Sequence, residues 1–256
     1  MTIEEMNRRK QELGYSYEMI AKKSGVPVGT VQKVLGGITK TPRYATLMAL
    51  EKALTLDSGF RLSEEVFDYY YGQPDKYYTI EDYDDIPEGQ YAELYEGRII
   101  MFQSPSLQHQ DIVLDIGMML RDYVDMNGGQ CRTYVAPIDC RLDDKTVFIP
   151  DVAVVCDKNK TNNGKRIIGA PDFVVEVISE STKNKDYGFK VIEYKKHGVR
   201  EYWVVDYNRK TIAIYDFEHD GFKLYGMKDQ VPVAIFNGDL KIDFSKISNR
   251  LGVYNI

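Results

Sequence analysis

Glu176 limits most tightly what this chain can become. It sits in Phe173-Val174-Val175-Glu176-Val177-Ile178, an otherwise unbroken apolar run of the kind that forms a buried strand. A carboxylate in such a strand is costly unless it is paired, protonated or bound to a cation. Asp151 poses the same problem, opening the apolar run Val152-Ala153-Val154-Val155 directly after Pro150. Two acids at neighbouring strand positions make an oxygen-rich site suited to Mg²⁺ or Mn²⁺. The competing reading is a pair of strand-end acids that face solvent.

Asp172 follows Pro171 as Asp151 follows Pro150, so spacing has to choose between them. Asp172 and Glu176 lie four residues apart on one expected strand, hence about 13 Å apart. Ligands of one such ion lie only about 2.1 Å from it. Asp151 comes from a different strand and can lie beside Glu176, so Asp172 reads as a strand-edge or turn residue. A site that handles water or phosphate also calls for a positive charge, and Lys190 on the following expected helix is the best candidate. Asp186, one helical turn earlier, either orients Lys190 or pairs with it at the surface, and spacing alone favours the surface pair.

The front of the chain has another character. Residues 1–55 carry a net charge of +4 and the remainder −10, within an overall −6. Apolar spacing and glycine stops predict helices up to Leu13, after Ser16, over 28–35 and over 44–54. Ser16-Tyr17-Glu18-Met19-Ile20-Ala21-Lys22-Lys23-Ser24-Gly25-Val26-Pro27-Val28-Gly29-Thr30-Val31 resembles a phage-repressor-type helix-turn-helix. Ala21 is small where two helices must meet, Gly25 suits the turn, and Ile20, Val26 and Val31 are the apolar pins. Such a module sets its third helix in the major groove. The candidates to meet bases are Val28, Thr30, Gln32 and Lys33, with Gln32 suited to adenine and Lys33 to guanine or phosphate. Lys22, Lys23, Lys40 and Arg43 are candidates for phosphate. A small helical bundle for protein contact is the other reading.

Further along, residues 56–90 are rich in tyrosine and acids, with a short helix expected over 64–71, a break at 72–74 and a helix capped by Thr79. A hairpin turning at Glu96-Gly97, a long amphipathic helix over 109–127 and a helix over 184–197 follow. Strands are expected over 132–136, 139–142, 148–155, 173–178, 202–206 and 211–215. Cys131, Cys140 and Cys156 form no CxxC pair, so small buried side chains are expected rather than a disulfide or zinc site. The three histidines show no metal-binding spacing. No long apolar run predicts a membrane span, and the first residues lack the pattern of a signal peptide, so the cytoplasm is the expected location.

Several segments together resemble the Uma-type family of restriction endonucleases. They are Thr79-Ile80-Glu81-Asp82-Tyr83, the stretch 91–101, Ser106-Leu107-Gln108-His109, Pro150-Asp151-Val152, the stretch 175–182 and the stretch 198–206. The resemblance covers residues 76–220 and implies the PD-(D/E)XK nuclease fold, an α+β arrangement of mixed sheet flanked by helices with a divalent metal. It implies Asp151 and Glu176 as ligands and Glu93 as an early acid completing the site; the Val177 carbonyl is a further candidate ligand. Lys190 becomes a relocated lysine, because the second position after Glu176 is Ile178 rather than the usual lysine. His109 matches a histidine at a helix start, with a capping or a catalytic role open.

The expected organisation is a helix-turn-helix domain over 1–56, a linker over 57–75 and a nuclease-like domain over 76–256. The expected activity is metal-dependent cleavage of DNA, with a homodimer as a further option. The rivals are a transcriptional regulator whose nuclease-like domain is a silent dimerisation unit, and an antitoxin-like protein-interaction module.

Overall fold

The computed structural model describes residues 3–39, 42, 44–54, 77–87, 89–101, 104–178, 186 and 188–254. The expected helix over 64–71, the break at 72–74, the linker, Lys40 and Arg43 lie outside the described residues. The chain divides into two compact units, residues 1–72 with 181–192 and residues 73–180 with 193–256. Among the described residues no helix is long and apolar enough to cross a membrane.

The first unit holds α1 (Ile3–Glu12), α2 (Tyr17–Ser24), α3 (Val28–Leu35) and α4 (Tyr44–Leu54). Ser16 caps α2, its hydroxyl accepting the Met19 N–H at 3.2 Å. Gly25 ends α2 at φ 69°, a conformation that costs a residue with a Cβ. The turn then starts α3 at once, with the Pro27 carbonyl accepting from Thr30 and Val31. Met6, Met19, Ile20, Val31, Val34 and Leu50 close a shared core, and Ala21 and Val26 pack at its edge. The expected pins therefore do the expected packing.

The second unit begins with α5 (Ile80–Asp84), where Thr79 and Asp82 form a capping box. Then come β1 (Ala92–Tyr95), β2 (Arg98–Met101), α6 (Leu107–Met126), β3 (Arg132–Val135), β4 (Cys140–Asp143), β5 (Thr146–Phe148), β6 (Val152–Val155), β7 (Ile167–Ile168) and β8 (Phe173–Val177). The division between the units crosses the next helix, α7 (Phe189–His197). The rest is β9 (Glu201–Asp206), β10 (Thr211–Asp216), β11 (Gly221–Gly226), β12 (Gln230–Pro232), β13 (Lys241–Asp243) and α8 (Phe244–Leu251).

The strands form a five-stranded sheet, β2-β1-β5-β4-β7, a six-stranded sheet, β11-β10-β9-β8-β6-β3, and the pair β12-β13. Both larger sheets are mixed: β4 with β7 and β8 with β9 are parallel, and the other pairs are antiparallel. Helix α6 packs on β3, β6 and β8, placing Ile112, Ile116 and Leu120 against Val152, Val154 and Val175. The approach is close at Gly117, where a Cβ would stand 2.7 Å from Val135 Cγ1.

Two expectations are corrected. Residues 148–155 are not one strand: β5 and β6 belong to different sheets, and Ile149-Pro150-Asp151 carries the chain between them. Pro150 has no N–H to give to a ladder, which suits it to this passage. Cys131 and Cys156 are not isolated either, but joined by a disulfide with Cα atoms 3.8 Å apart. Their partnership follows from register, since Arg132 pairs with Val155 and the next pair outward is Cys131 and Cys156. Cys140 is buried as expected. Asp172 is a strand-edge residue, its carboxylate accepting the Cys156 N–H at 2.8 Å.

The bond closes a loop with a sequence separation of 25. A loop of that size is worth about 3 kcal/mol through the unfolded state. The variant Cys131→Ser/Cys156→Ser is therefore expected to lose about 3 kcal/mol of unfolding free energy, read as a lower urea midpoint, and an unchanged midpoint would show that the bond carries no stability.

Candidate active site

The register of the central strands builds the site. In the antiparallel pair β6/β8, Ala153 lies opposite Val174 and Val152 opposite Val175. The ladder ends at Val152, so Asp151 lies just beyond it, next to the strand that carries Glu176. The Val177 N–H donates to Asp151 Oδ2 at 2.7 Å, tying the residue after Glu176 to the other acid. The same oxygen lies 3.1 Å from His109 Nε2, so the ring nitrogen donates to it when it carries the proton. His109 is in the first turn of α6, where its own N–H donates to the Ser106 hydroxyl at 3.2 Å. Its backbone thus serves the cap while its ring serves Asp151.

Glu176 is 4% exposed. It accepts a hydrogen bond of 2.9 Å from the Tyr194 hydroxyl. Tyr194 is fully buried, its ring 5.4 Å from that of Phe148 and 5.0 Å from that of Tyr202. Burial, and then the negative charge of Glu176, push the Tyr194 hydroxyl well above its ordinary pKa, with Glu93 adding a further charge. The phenol stays protonated and remains a donor. Tyr194 had no place in the sequence reading. It stands one turn beyond Lys190, on the same side of the helix, which was the available signal.

Glu93 lies on β1 and is wholly buried. Its Oε1 accepts the Ile149 N–H at 3.1 Å, anchoring the passage that delivers Pro150 and Asp151. Two buried carboxylates, Glu93 and Glu176, therefore bear on one phenol. Such a concentration of negative charge in an apolar setting fits a cation.

Among the described residues, no three His, Cys, Asp or Glu side chains form a group that could hold a metal ion by themselves. A Mg²⁺ ion does not need one, since it binds through one or two carboxylates and takes its other ligands from water and substrate phosphate. Hard oxygen donors at Asp151 and Glu176 fit that preference.

Lys190 and Asp186 correct the expectation of a surface pair. Both are buried, with Nζ 3.6 Å from Oδ1. A buried ion pair carries a desolvation cost that a surface pair does not. In the first unit, the side chains of Val28, Thr30, Gln32 and Lys33 are exposed on α3, while Val31, Val34 and Leu35 turn inward. The face that a groove-reading helix needs is open.

The geometry agrees with what the chain is similar to. A family model described as "Putative restriction endonuclease", Uma2, matches residues 76–242, and a helix-turn-helix model matches residues 6–59. A solved structure from Anabaena variabilis, described as "a putative nuclease belonging to DUF820", shares the fold with a TM-score of 0.55 and 21% identity. The alignment covers 67% of this chain and 97% of that one. No curated protein matches. The chain belongs to the Uma2 family, with the α+β fold of a restriction-endonuclease-like protein behind an N-terminal helix-turn-helix.

Proposed function

We propose that the chain is a Mg²⁺- or Mn²⁺-dependent DNA endonuclease of the cytoplasm, directed to its substrate by the helix-turn-helix. Its working parts are a DNA-binding domain over 1–56, a linker over 57–75 and a hydrolytic domain over 76–256. The observation that supports this reading most is the Val177 N–H bond to Asp151, which ties Asp151 to the residue after Glu176. The metal would be held by Asp151, Glu176 and the Val177 carbonyl, and when bound it supplies Lewis-acid polarisation of the scissile phosphate.

The protein's own groups do the rest. His109 fixes the orientation of Asp151, and Tyr194 fixes that of Glu176. Glu93 holds the β5–β6 passage in place through Ile149. Lys190, 3.6 Å from Asp186, would donate to the phosphate and offset charge that builds on its oxygens. On α3, Gln32 and Lys33 reach base edges or phosphates, with Val28 and Thr30 making shorter contacts.

Purified protein with Mn²⁺ is expected to nick or linearise plasmid DNA carrying varied sequences. Glu176→Gln and Asp151→Asn are each expected to lower the rate by about 100-fold or more. Full activity in either variant would remove the hydrolytic reading. Tyr194→Phe keeps the ring and loses the donor, so it is expected to cost about 10- to 100-fold and to raise the Mn²⁺ concentration needed for half-maximal rate. A Tyr194→Phe enzyme with an unaltered Mn²⁺ dependence would deny that Tyr194 orients a ligand. For the front module, Lys33→Ala is expected to weaken binding and flatten the plot of log affinity against log salt by about one unit. An unaltered slope would take Lys33 off the phosphate.

A second reading is a DNA-binding regulator whose nuclease-like domain is silent. Specific DNA binding with no cleavage at any divalent metal concentration would select it.

A further inference from the structure

The long helix α6 leaves one face open to solvent. While Ile112, Ile116 and Leu120 face the core, Leu107 is 70% exposed, Leu114 52% and Met118 53%. Leu107, Asp111, Leu114, Met118, Arg121 and Asp125 succeed one another at steps of four and three residues, so they form a single stripe along the helix. Large apolar side chains lined up on a surface, with charges at the ends, mark an interaction site.

The order of the charges says what fits. Turn the stripe about a two-fold axis through Ile116, and Leu114 of one copy falls on Met118 of the other. Asp111 then falls on Arg121, each five residues from the axis, or about 7.5 Å along the helix. Opposite signs stand at positions that the symmetry exchanges, so the stretch from Asp111 to Arg121 complements itself, while Leu107 and Asp125 lie at its outer ends. Asp111 is held before any partner arrives. Asp111 accepts from the Tyr254 hydroxyl at 2.7 Å, and Arg121 lies 3.7 Å from its neighbour Asp125. Groups already ordered lose less freedom on association.

We propose that α6 is a homodimer interface, with a second copy of this chain packed antiparallel on the stripe about a two-fold axis near Ile116. The contact is isologous: Leu114 and Met118 form its centre, and the Asp111–Arg121 pairs close it on both sides. It sets the two His109 residues about 21 Å apart along the helix axes. Nothing in this depends on the hydrolytic reading, and the interface stands or falls by association alone.

Sedimentation velocity of the full chain over a wide concentration series tests it, with circular dichroism melts to show that each variant is folded. Wild type is expected to dimerise with rising concentration, and Leu114→Glu/Met118→Glu to stay monomeric with an unchanged melt. Asp111→Arg and Arg121→Asp are each expected to weaken dimerisation about tenfold, because the symmetry makes each change count twice. The double variant Asp111→Arg/Arg121→Asp restores opposite signs across the axis and is expected to regain most of the affinity. A wild-type monomer at every concentration overturns the proposal, as does a dimer indifferent to the Leu114 and Met118 changes. A double variant as weak as the singles also overturns it.

Discussion

One backbone hydrogen bond organises the candidate site: the Val177 N–H on Asp151 Oδ2. It joins the strand that carries Glu176 to the turn that carries Asp151. Every other contact braces one of them. His109 comes from the first turn of α6, Tyr194 from α7, and Glu93 from the neighbouring sheet by way of Ile149. Since buried carboxylates are expensive, a fold that gathers several at one corner must balance them, and hydrogen bonds from Tyr194, His109 and two backbone amides do part of that.

The same corner explains why the two larger sheets meet where they do. Pro150 cannot extend a ladder, so β5 ends in one sheet and β6 begins in the other. The chain therefore reaches Asp151 through a passage rather than along a strand, and Glu93 fixes that passage from β1. A continuous strand over 148–155 would have alternated its side chains across one sheet, with no such crossing between sheets.

What could be read in the sequence is what carries a local cost. Glu176 and Asp151 stand out because acids rarely open or interrupt apolar strands. The helix-turn-helix stands out because Ser16, Gly25 and the apolar pins each answer a local steric or hydrogen-bonding demand. The hairpin at Glu96-Gly97 and the helix α6 follow from turn chemistry and period. What depends on register stayed hidden. The Cys131–Cys156 bond exists because β3 and β6 pair as they do, a long-range fact that an uneven cysteine count does not disclose. Tyr194 reads as one more aromatic in a core until its hydroxyl is seen on Glu176. Lys190 and Asp186 look like a surface pair by spacing, and only burial separates the two cases. Strand β11 escaped because Gly221-Phe222-Lys223-Leu224-Tyr225-Gly226 lies at a sheet edge and keeps no clean alternation.

The central claim is that Asp151 and Glu176 serve one divalent ion. A crystal structure of the protein grown with Mn²⁺, with anomalous scattering collected near the manganese edge, addresses it without any assumption about substrate. The account predicts a single strong anomalous peak within about 2.2 Å of one oxygen from each carboxylate. A map with both side chains ordered and no peak between them, or with the ion bound elsewhere, would contradict it.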